Sequence, residues 1–290
     1  MSSPKTPDAA GSIDAHVHLW RYVPAEHPWM TGAMTAIQRD FLPAELAAQM
    51  AASGIASAIP VQARHSLDET RWLLDLADEH PFLAGVVGWV PLASPDVAQD
   101  LERLADRPKL RGVRHVVLDD PDDALMLRDD WNRGVALLAA YGLRYDLIVY
   151  ERHLPQAITL VDRHPRQIFV LDHVARPEIR GAPSALYRDQ LRALAARPHV
   201  YCKLSGLTTG TGPGGYTADD LAPYVDLALE AFGPRRLMFG SDWPMCILTC
   251  DYARWTGLVQ QLTAALSPDE RAWIWRRTAE EAYGLPGGSS

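Results

Sequence analysis

The stretch GSIDAHVHLW, residues 11–20, has an unusual pattern for a strand near the start of a chain. Side chains alternate between the two faces of a β-strand, which puts the odd-numbered apolar residues on one face and Asp14, His16 and His18 on the other. Removing several ionisable groups from water costs free energy unless they bind something. The pattern therefore predicts that this strand contributes a polar site.

Length and composition are those of a globular protein. The chain has 290 residues, of which 48% are hydrophobic and 22% charged, and an α/β barrel of this length commonly forms one domain. The net charge of −8 argues against nucleic acid or an anionic membrane surface as a partner.

No apolar run approaches the roughly 18 residues of a membrane span. Without a secretory pattern at residues 1–11, we expect a disordered tail there and a cytoplasmic monomer or homodimer.

Eight short apolar or β-branched runs alternate with amphipathic segments along the chain. The predicted strands span residues 13–20, 57–63, 82–92, 110–117, 144–150, 167–175, 200–207 and 236–244. Between them, apolar residues recur at helical spacing, as at Val97, Leu101 and Leu104. This order predicts a single α/β domain over residues 1–290, a (β/α)8 TIM barrel with extra C-terminal helices. An open doubly wound sheet is the alternative, but no glycine-rich nucleotide turn follows the first strand.

Active sites of such barrels lie at the C-terminal ends of the strands. The first predicted strand ends near His16 and His18, and the eighth ends near Asp242. Because these strands are neighbours once a barrel closes, we expect Asp242 beside the two histidines as a metal ligand, a general base or both. Strand alternation should let only one of Asp172 and His173 face the site, and His173 is the preferred candidate.

Further polar side chains at the strand ends are candidates for substrate binding. Either Arg114, which suits a carboxylate or carbonyl oxygen, or His115 should face the site. Gln62 and Asp146 either bind a polyol or tie strand ends together. A buried Lys203 must be paired or functional. Two tryptophans complete the candidates, one in the long loop of residues 21–40 and one at the end of the eighth strand, Trp29 and Trp243.

Four motifs in chain order resemble those of the amidohydrolase superfamily. They are the His-x-His pair at residues 16–18, LDHVARP at 171–177, VYCKLSGL at 200–207 and RLMFGSDWP at 236–244. The resemblance extends over residues 13–285 and is closest to the branch that contains sugar-lactone lactonases and 2-pyrone-4,6-dicarboxylate lactonase. It implies a (β/α)8 barrel, lactone hydrolysis, and catalysis by His16, His18, His173 and Asp242.

The fifth predicted strand departs from the superfamily pattern. Mononuclear members commonly take a further histidine ligand from the end of that strand, and residues 144–150 contain none. His16, His18 and Asp242 still offer three ligands for an open catalytic site, in which one divalent ion, zinc above all, is expected. Catalysis without a metal is the alternative.

The residues and the resemblance together predict a hydrolase that opens the ring of a small polar lactone. A 1,4- or 1,5-lactone of a sugar acid is the expected substrate. Asp242 would take a proton from the attacking water, while the three histidines stabilise the oxyanion. The alternatives are a metal-dependent decarboxylase of the same superfamily and a non-catalytic barrel that binds a sugar acid.

Overall fold

The computed structural model describes residues 11–118, 120–122, 124–211 and 215–287. The tail expected at residues 1–11 lies outside the described residues, apart from Gly11. Among the described helices, none has the length and apolar character needed to cross a membrane.

Eight parallel strands follow one another in chain order, each within or overlapping a predicted strand. They are β1 Ile13–Val17, β2 Ser57–Pro60, β3 Val86–Gly88, β4 Leu110–Arg114, β5 Arg144–Leu147, β6 Phe169–Leu171, β7 Val200–Leu204 and β8 Leu237–Phe239. β1 and β2 form one sheet, and the other six form a second sheet in the order β3 to β8. All eight strands end earlier than predicted, because the chain leaves the extended conformation where the polar residues lie, and β3, β6 and β8 also begin later than predicted.

Isolated backbone bridges connect the two sheets at both seams. Val17 of β1 pairs in parallel with Trp243, which follows β8, and Val61 after β2 pairs in parallel with Val87 of β3. The His18 amide also donates to the Trp243 carbonyl oxygen at 2.6 Å. The described residues thus form a parallel α/β fold. Its two sheets have continuous hydrogen-bonded ladders, and isolated bridges join one sheet to the other.

Each strand is followed by a helix of the same number. The helices are α1 Pro43–Ser53, α2 Leu67–Glu79, α3 Val97–Leu104, α4 Asp129–Leu138, α5 Leu154–Arg163, α6 Ala185–Ala195, α7 Ala218–Phe232 and α8 Tyr252–Leu262, with α9 Pro268–Ala272, a π-helical turn Trp273–Arg277 and α10 Thr278–Tyr283 after them. A capping box begins α9, because the Ser267 hydroxyl accepts the Glu270 amide while the Glu270 carboxylate accepts the Ser267 amide.

Two apolar clusters stabilise this arrangement. The larger one lies between strands and helices and includes Leu73 and Leu191. The smaller one joins strand residues such as Ile13 and Val170 to Tyr283 of α10. The last helix therefore packs against strand side chains rather than only against neighbouring helices.

Candidate active site

An irregular register in β1 decides which of its side chains reach the site. Pairing with β2 shifts after Asp14, and Asp14 Oδ1 accepts the His16 amide at 3.1 Å. Ile13 and Ala15 belong to the small cluster with α10, whereas Asp14 Oδ2 accepts the Tyr252 hydroxyl of α8 at 2.8 Å. The prediction that Asp14 shares a face with the two histidines is wrong, because the strand does not alternate regularly at this point.

Left-handed backbone after β6 brings two adjacent side chains into the interior. β6 ends at Leu171, and the four residues 173–176 have φ angles of 54°, 51°, 63° and 46°. Strand alternation therefore no longer applies, and both Asp172 and His173 are buried at the site. The prediction that only one of them can face inward is wrong. Asp242, after β8, has φ of 57°, and such strained residues persist only where the surroundings fix them.

Two glycines allow the backbone to approach the site histidines closely. A Cβ atom on Gly206, which has φ of +62°, would lie 2.6 Å from His173 Nδ1. A Cβ atom on Gly240 would lie 2.8 Å from the Cβ atom of His16. Any larger residue at either position would have to displace the imidazole beside it.

Three histidines and one aspartate converge into what we call the central cluster, made of His16, His18, His173 and Asp242. Oδ1 of Asp242 lies 3.4 Å from Nε2 of His18, 3.6 Å from Nε2 of His16 and 3.9 Å from Nε2 of His173. The Nε2 atoms of His16 and His18 are 3.2 Å apart. All four side chains are buried, so residues from three distant parts of the chain share one enclosed site.

Hydrogen bonds on the outer side of the cluster orient its rings. Nδ1 of His18 lies 2.8 Å from the Val61 carbonyl oxygen, which can only accept, so His18 carries its hydrogen on Nδ1 and directs the Nε2 lone pair into the cluster. Nδ1 of His173 lies 2.7 Å from the Ser205 hydroxyl. Partners of this kind orient the histidines of metal and catalytic sites.

Four charged side chains lie beneath the central cluster and form what we call the buried charge network: Arg114, Asp146, Asp172 and Lys203. Lys203 Nζ donates to Asp146 Oδ2 at 2.5 Å and lies 3.0 Å from Asp172 Oδ1. Arg114 Nη1 donates to Asp172 Oδ2 at 3.2 Å. Tyr283 of α10 donates to Asp146 Oδ2 at 2.7 Å. Lys203 is therefore paired, as a fully buried ammonium group must be.

Burial and neighbouring charges set the protonation states in the site. Burial lowers the pKa of His173 to about 4 and holds the pKa of His16 well below its usual value, so both rings are neutral at pH 7. Burial raises the pKa of Asp242, but the interactions with His173 and His18 outweigh it, and the net pKa lies below the ordinary value. Burial opposes ionisation of Asp172 as well, yet Lys203 and His16 hold its pKa well below normal. Ionised carboxylates thus face neutral imidazoles.

A cavity of about 910 Å³ opens onto the central cluster. The cluster residues that line it are His18, His173 and Asp242. One wall is mainly apolar and comes from the segment after β1 and the segment after β8: Trp20, Pro28, Trp29, Met34 and Met245. Another wall offers polar groups from the loops after β2, β4, β5 and β6: Arg64, His65, Asp120, Tyr150 and Arg176. A cavity of this size and mixed lining suits a small polar molecule.

Of the two candidates on β4 and just after it, Arg114 lies at the cavity and His115 packs elsewhere. Arg114 lines the cavity, whereas Nδ1 of His115 accepts the indole N–H of Trp89 at 2.9 Å. Trp29, the candidate in the loop after β1, also lines the cavity. A substrate-binding role for Arg114 therefore stays a prediction, now with the side chain at the cavity.

The other predicted binding residues lie behind the site. Gln62, Asp146, Lys203 and Trp243 are almost completely buried and are not among the residues that line the cavity. Oε1 of Gln62 accepts from Nε of Arg114 at 2.9 Å, so Gln62 supports the guanidinium group. Asp146 and Lys203 belong to the buried charge network, and Trp243 packs edge-on against Phe41 with ring centroids 5.2 Å apart.

Sequence reasoning missed the central position of Asp172 and the two cavity residues Arg176 and Tyr150. The signal for Asp172 was its place beside His173 at a strand end, but regular alternation excluded it. The Arg176 guanidinium lies 5.7 Å from the centroid of the Tyr150 ring. Neither orientation follows from sequence, because both side chains depend on loop backbone.

The donor groups of the central cluster fit a divalent cation. His16, His18 and Asp242 each offer one ligand atom, and these atoms lie within 4.8 Å of one another. Oδ2 of Asp242 is buried without a hydrogen-bond partner among the described residues. Two imidazoles and a carboxylate are the protein donors of open catalytic zinc sites. The ligand atoms of His16, Asp172 and His173 also lie within 4.8 Å of one another, and this second group shares His16 with the first.

The chain is similar to known proteins along nearly its whole length. The amidohydrolase family model matches residues 13–285. An L-fucono-1,5-lactonase from Burkholderia multivorans is 43% identical over 287 residues, which cover 94% of this chain and 96% of that protein. An L-fucono-1,5-lactonase from Burkholderia ambifaria is 37% identical, with 93% and 94% covered. The crystal structure of an amidohydrolase from Burkholderia multivorans with bound zinc aligns with a TM-score of 0.90 at 43% identity, covering 95% of this chain and 100% of that one.

Proposed function

Because this chain belongs to the amidohydrolase family, we propose that it hydrolyses the ring ester of a sugar-acid lactone. The observation that carries the proposal is the position of Asp242, whose Oδ1 lies within 3.9 Å of three histidine Nε2 atoms at the base of a cavity large enough for a sugar lactone. The two Burkholderia lactonases support the substrate class through their 43% and 37% identity over most of this chain.

We also propose that the two sheets are parts of one closed (β/α)8 barrel that forms a single domain. The bridges at both seams support closure, as does the uninterrupted chain order of the six-stranded sheet. Closure explains why the ends of β1, β6 and β8 meet, since the C-terminal ends of all barrel strands surround one mouth.

Asp242 acts as the general base in this mechanism. Its carboxylate is ionised at neutral pH, lines the cavity and takes a proton from the water that attacks the lactone carbonyl carbon. The new carbon–oxygen bond forms a tetrahedral intermediate. When the ring carbon–oxygen bond breaks, Asp242 returns the proton to the departing ring oxygen, and the product is an open-chain hydroxy acid.

Arg114 and His173 stabilise the negative charge on the attacked carbonyl oxygen. Both line the cavity, and the Arg114 guanidinium carries a permanent charge. Nδ1 of His173 faces the Ser205 hydroxyl at 2.7 Å. With Ser205 as the donor, His173 holds its own hydrogen on Nε2 and directs it toward the reacting oxygen. These donors are fixed before substrate arrives, which lowers the cost of reorganisation during the reaction.

His16, His18 and Asp242 would hold a divalent cation, and the zinc-bound amidohydrolase from Burkholderia multivorans supports zinc. A bound ion of this kind supplies polarisation of a carbonyl oxygen and a lower pKa for water. Catalysis by the side chains alone is the alternative, and metal removal distinguishes the two.

The test is Asp242→Asn, assayed by acid release from a panel of 1,4- and 1,5-sugar lactones, with and without zinc. We expect turnover to fall by about 10³-fold, which is typical of the loss of a general base. Asp75→Asn, which changes an exposed carboxylate on α2, is the matched control and should keep full activity. Full activity of Asp242→Asn removes this residue from the mechanism. Carbon dioxide release from aromatic carboxylates, without lactone opening, identifies a decarboxylase instead.

A further inference from the structure

Lys203 lies directly behind His16, away from the cavity. Its Nζ atom donates to Asp146 Oδ2 at 2.5 Å and lies 3.2 Å from His16 Nδ1. The side chain is fully buried and does not line the cavity. A role in direct substrate contact is therefore excluded by position, and any effect of Lys203 on the site must act through His16 or the carboxylates beside it.

A hydrogen bond from Lys203 to His16 Nδ1 is compatible with only one tautomer of His16. An ammonium group has no lone pair, so it can only donate, and His16 Nδ1 must accept. A neutral His16 then carries its hydrogen on Nε2. That atom lies 3.2 Å from His18 Nε2, which is free to accept because the other nitrogen of His18 faces the Val61 carbonyl oxygen. In this tautomer Lys203 donates to His16 Nδ1 and His16 Nε2 donates to His18 Nε2, so each donor along this chain faces an acceptor.

Asp172 favours the opposite tautomer. Its Oδ1 lies 3.3 Å from the same His16 Nδ1 and 3.0 Å from Lys203 Nζ. A hydrogen on Nδ1 would be donated to this oxygen and would leave the lone pair on Nε2, the form that ligates a cation from inside the cluster. Arg114 Nη1, 3.3 Å from His16 Nε2, favours this form as well, although it also has Asp172 Oδ2 as an acceptor.

We infer that Lys203 is a positioning residue that holds His16 in the Nε2–H tautomer when no cation is bound, and so weakens cation binding by the central cluster. Cation binding then requires the hydrogen of His16 to move to Nδ1, where Asp172 accepts it. The inference rests on the cation site within the proposed function, but the tautomer itself can be measured without substrate.

The first test uses the zinc-free wild-type protein and long-range nitrogen–proton NMR of its histidine side chains. The His16 signals are assigned by their loss in His16→Gln. We expect the pattern of an imidazole protonated on Nε2. A hydrogen on Nδ1 in the zinc-free protein overturns the inference, whether or not the protein opens lactones.

The second test uses Lys203→Met together with Asp146→Asn, so that no unpaired carboxylate is left where the ammonium group was. We expect the His16 hydrogen to move to Nδ1 and zinc affinity, measured by chelator competition, to rise about tenfold, the scale seen for changes next to metal ligands. Removing a nearby positive charge raises zinc affinity whichever tautomer His16 adopts. The position of the His16 hydrogen is therefore the measurement that tests the inference. A zinc-free variant that keeps the hydrogen on Nε2 overturns the inference.

Tyr283→Phe is the matched control for the second test. It removes a hydrogen bond to the same Asp146 Oδ2 without touching His16, and the tautomer should stay on Nε2. If this control also moves the hydrogen to Nδ1, general disturbance of the buried charge network explains the change and the assignment to Lys203 fails. If the double variant does not fold, the NMR spectrum of the zinc-free wild-type protein tests the inference by itself.

Discussion

His115 illustrates how the environment of one residue decides its role. As a histidine at a strand end, it was as good a candidate for the site as Arg114. Its ring instead accepts the Trp89 indole N–H at 2.9 Å and lies 3.8 Å from the His65 ring, centroid to centroid. An imidazole that accepts on Nδ1 and packs against another histidine ring, here tilted by 37°, is favoured in its neutral form.

Stability should fall in mild acid because of His115. Burial, together with the nearby His65, lowers the pKa of His115 from its ordinary 6.5 to about 3. The unfolded chain therefore binds the proton more tightly, and the stabilisation, complete above pH 6.5, is lost as the pH falls from 6.5 toward about 3. At pH 5 the loss amounts to about 2 kcal/mol.

Urea unfolding of wild type and His115→Asn at pH 7 and pH 5 measures this effect. The asparagine carbonyl oxygen can still accept from Trp89 but does not titrate. The free energy of unfolding should fall by about 2 kcal/mol more in wild type than in the variant between these two values. An equal loss in both proteins would show that His115 titrates normally.

At the scale of elements, the turns that follow the strands decide the site more than the strands themselves. The segment after β6 departs from strand geometry through four consecutive positive φ angles, and the turn after β7 packs Gly206 against His173. Apolar periodicity places strands and helices in sequence, but it contains no information about such turns. This is why the position of His173 near the site was predicted and that of Asp172 was not.

Gly206→Ala should reduce lactone turnover at least tenfold while the protein still folds. Its Cβ atom would lie 2.6 Å from His173 Nδ1 and would displace the ring, and a 1 Å misplacement can cost about 10²-fold in rate. The positive φ adds a strain of about 1 kcal/mol.

Gly142→Ala separates strain from displacement. Gly142 also has a positive φ, +67°, and a Cβ atom there meets nothing within 4 Å. Backbone strain should cost both variants about 1 kcal/mol of stability, measured by urea unfolding, and Gly206→Ala should lose more because of its contact with His173. Only Gly206→Ala should lose turnover. Equal turnover in the two variants would mean that His173 can move without harm.

At the scale of the whole molecule, the central cluster ties together parts of the chain that are far apart in sequence. β1 supplies His16, the end of β6 supplies His173, and the segment after β8 supplies Asp242. The site therefore forms only when the strands are assembled. A cation that binds these residues must stabilise the folded state as a whole, because the unfolded chain cannot hold the ligands together.

Zinc should raise the free energy of unfolding through this linkage. At a free concentration 100 times the dissociation constant, the expected gain is about 2.7 kcal/mol. Thermal unfolding with and without zinc measures it, and His18→Gln, which removes one proposed ligand, should abolish the gain. A zinc-independent midpoint in wild type would contradict the proposed cation site and favour catalysis by side chains alone.

The amino-acid sequence by itself determined the parallel α/β class, the order of eight strand and helix pairs, and the segments that carry the polar residues. These features depend on local apolar periodicity, capping residues and motif spacing. Only the tertiary structure decided that Asp14 faces α8, that Asp172 joins His16, and that Lys203 is paired behind the site. Those positions depend on a register shift, left-handed turns and buried ion pairs, all of which are set by residues distant in the chain.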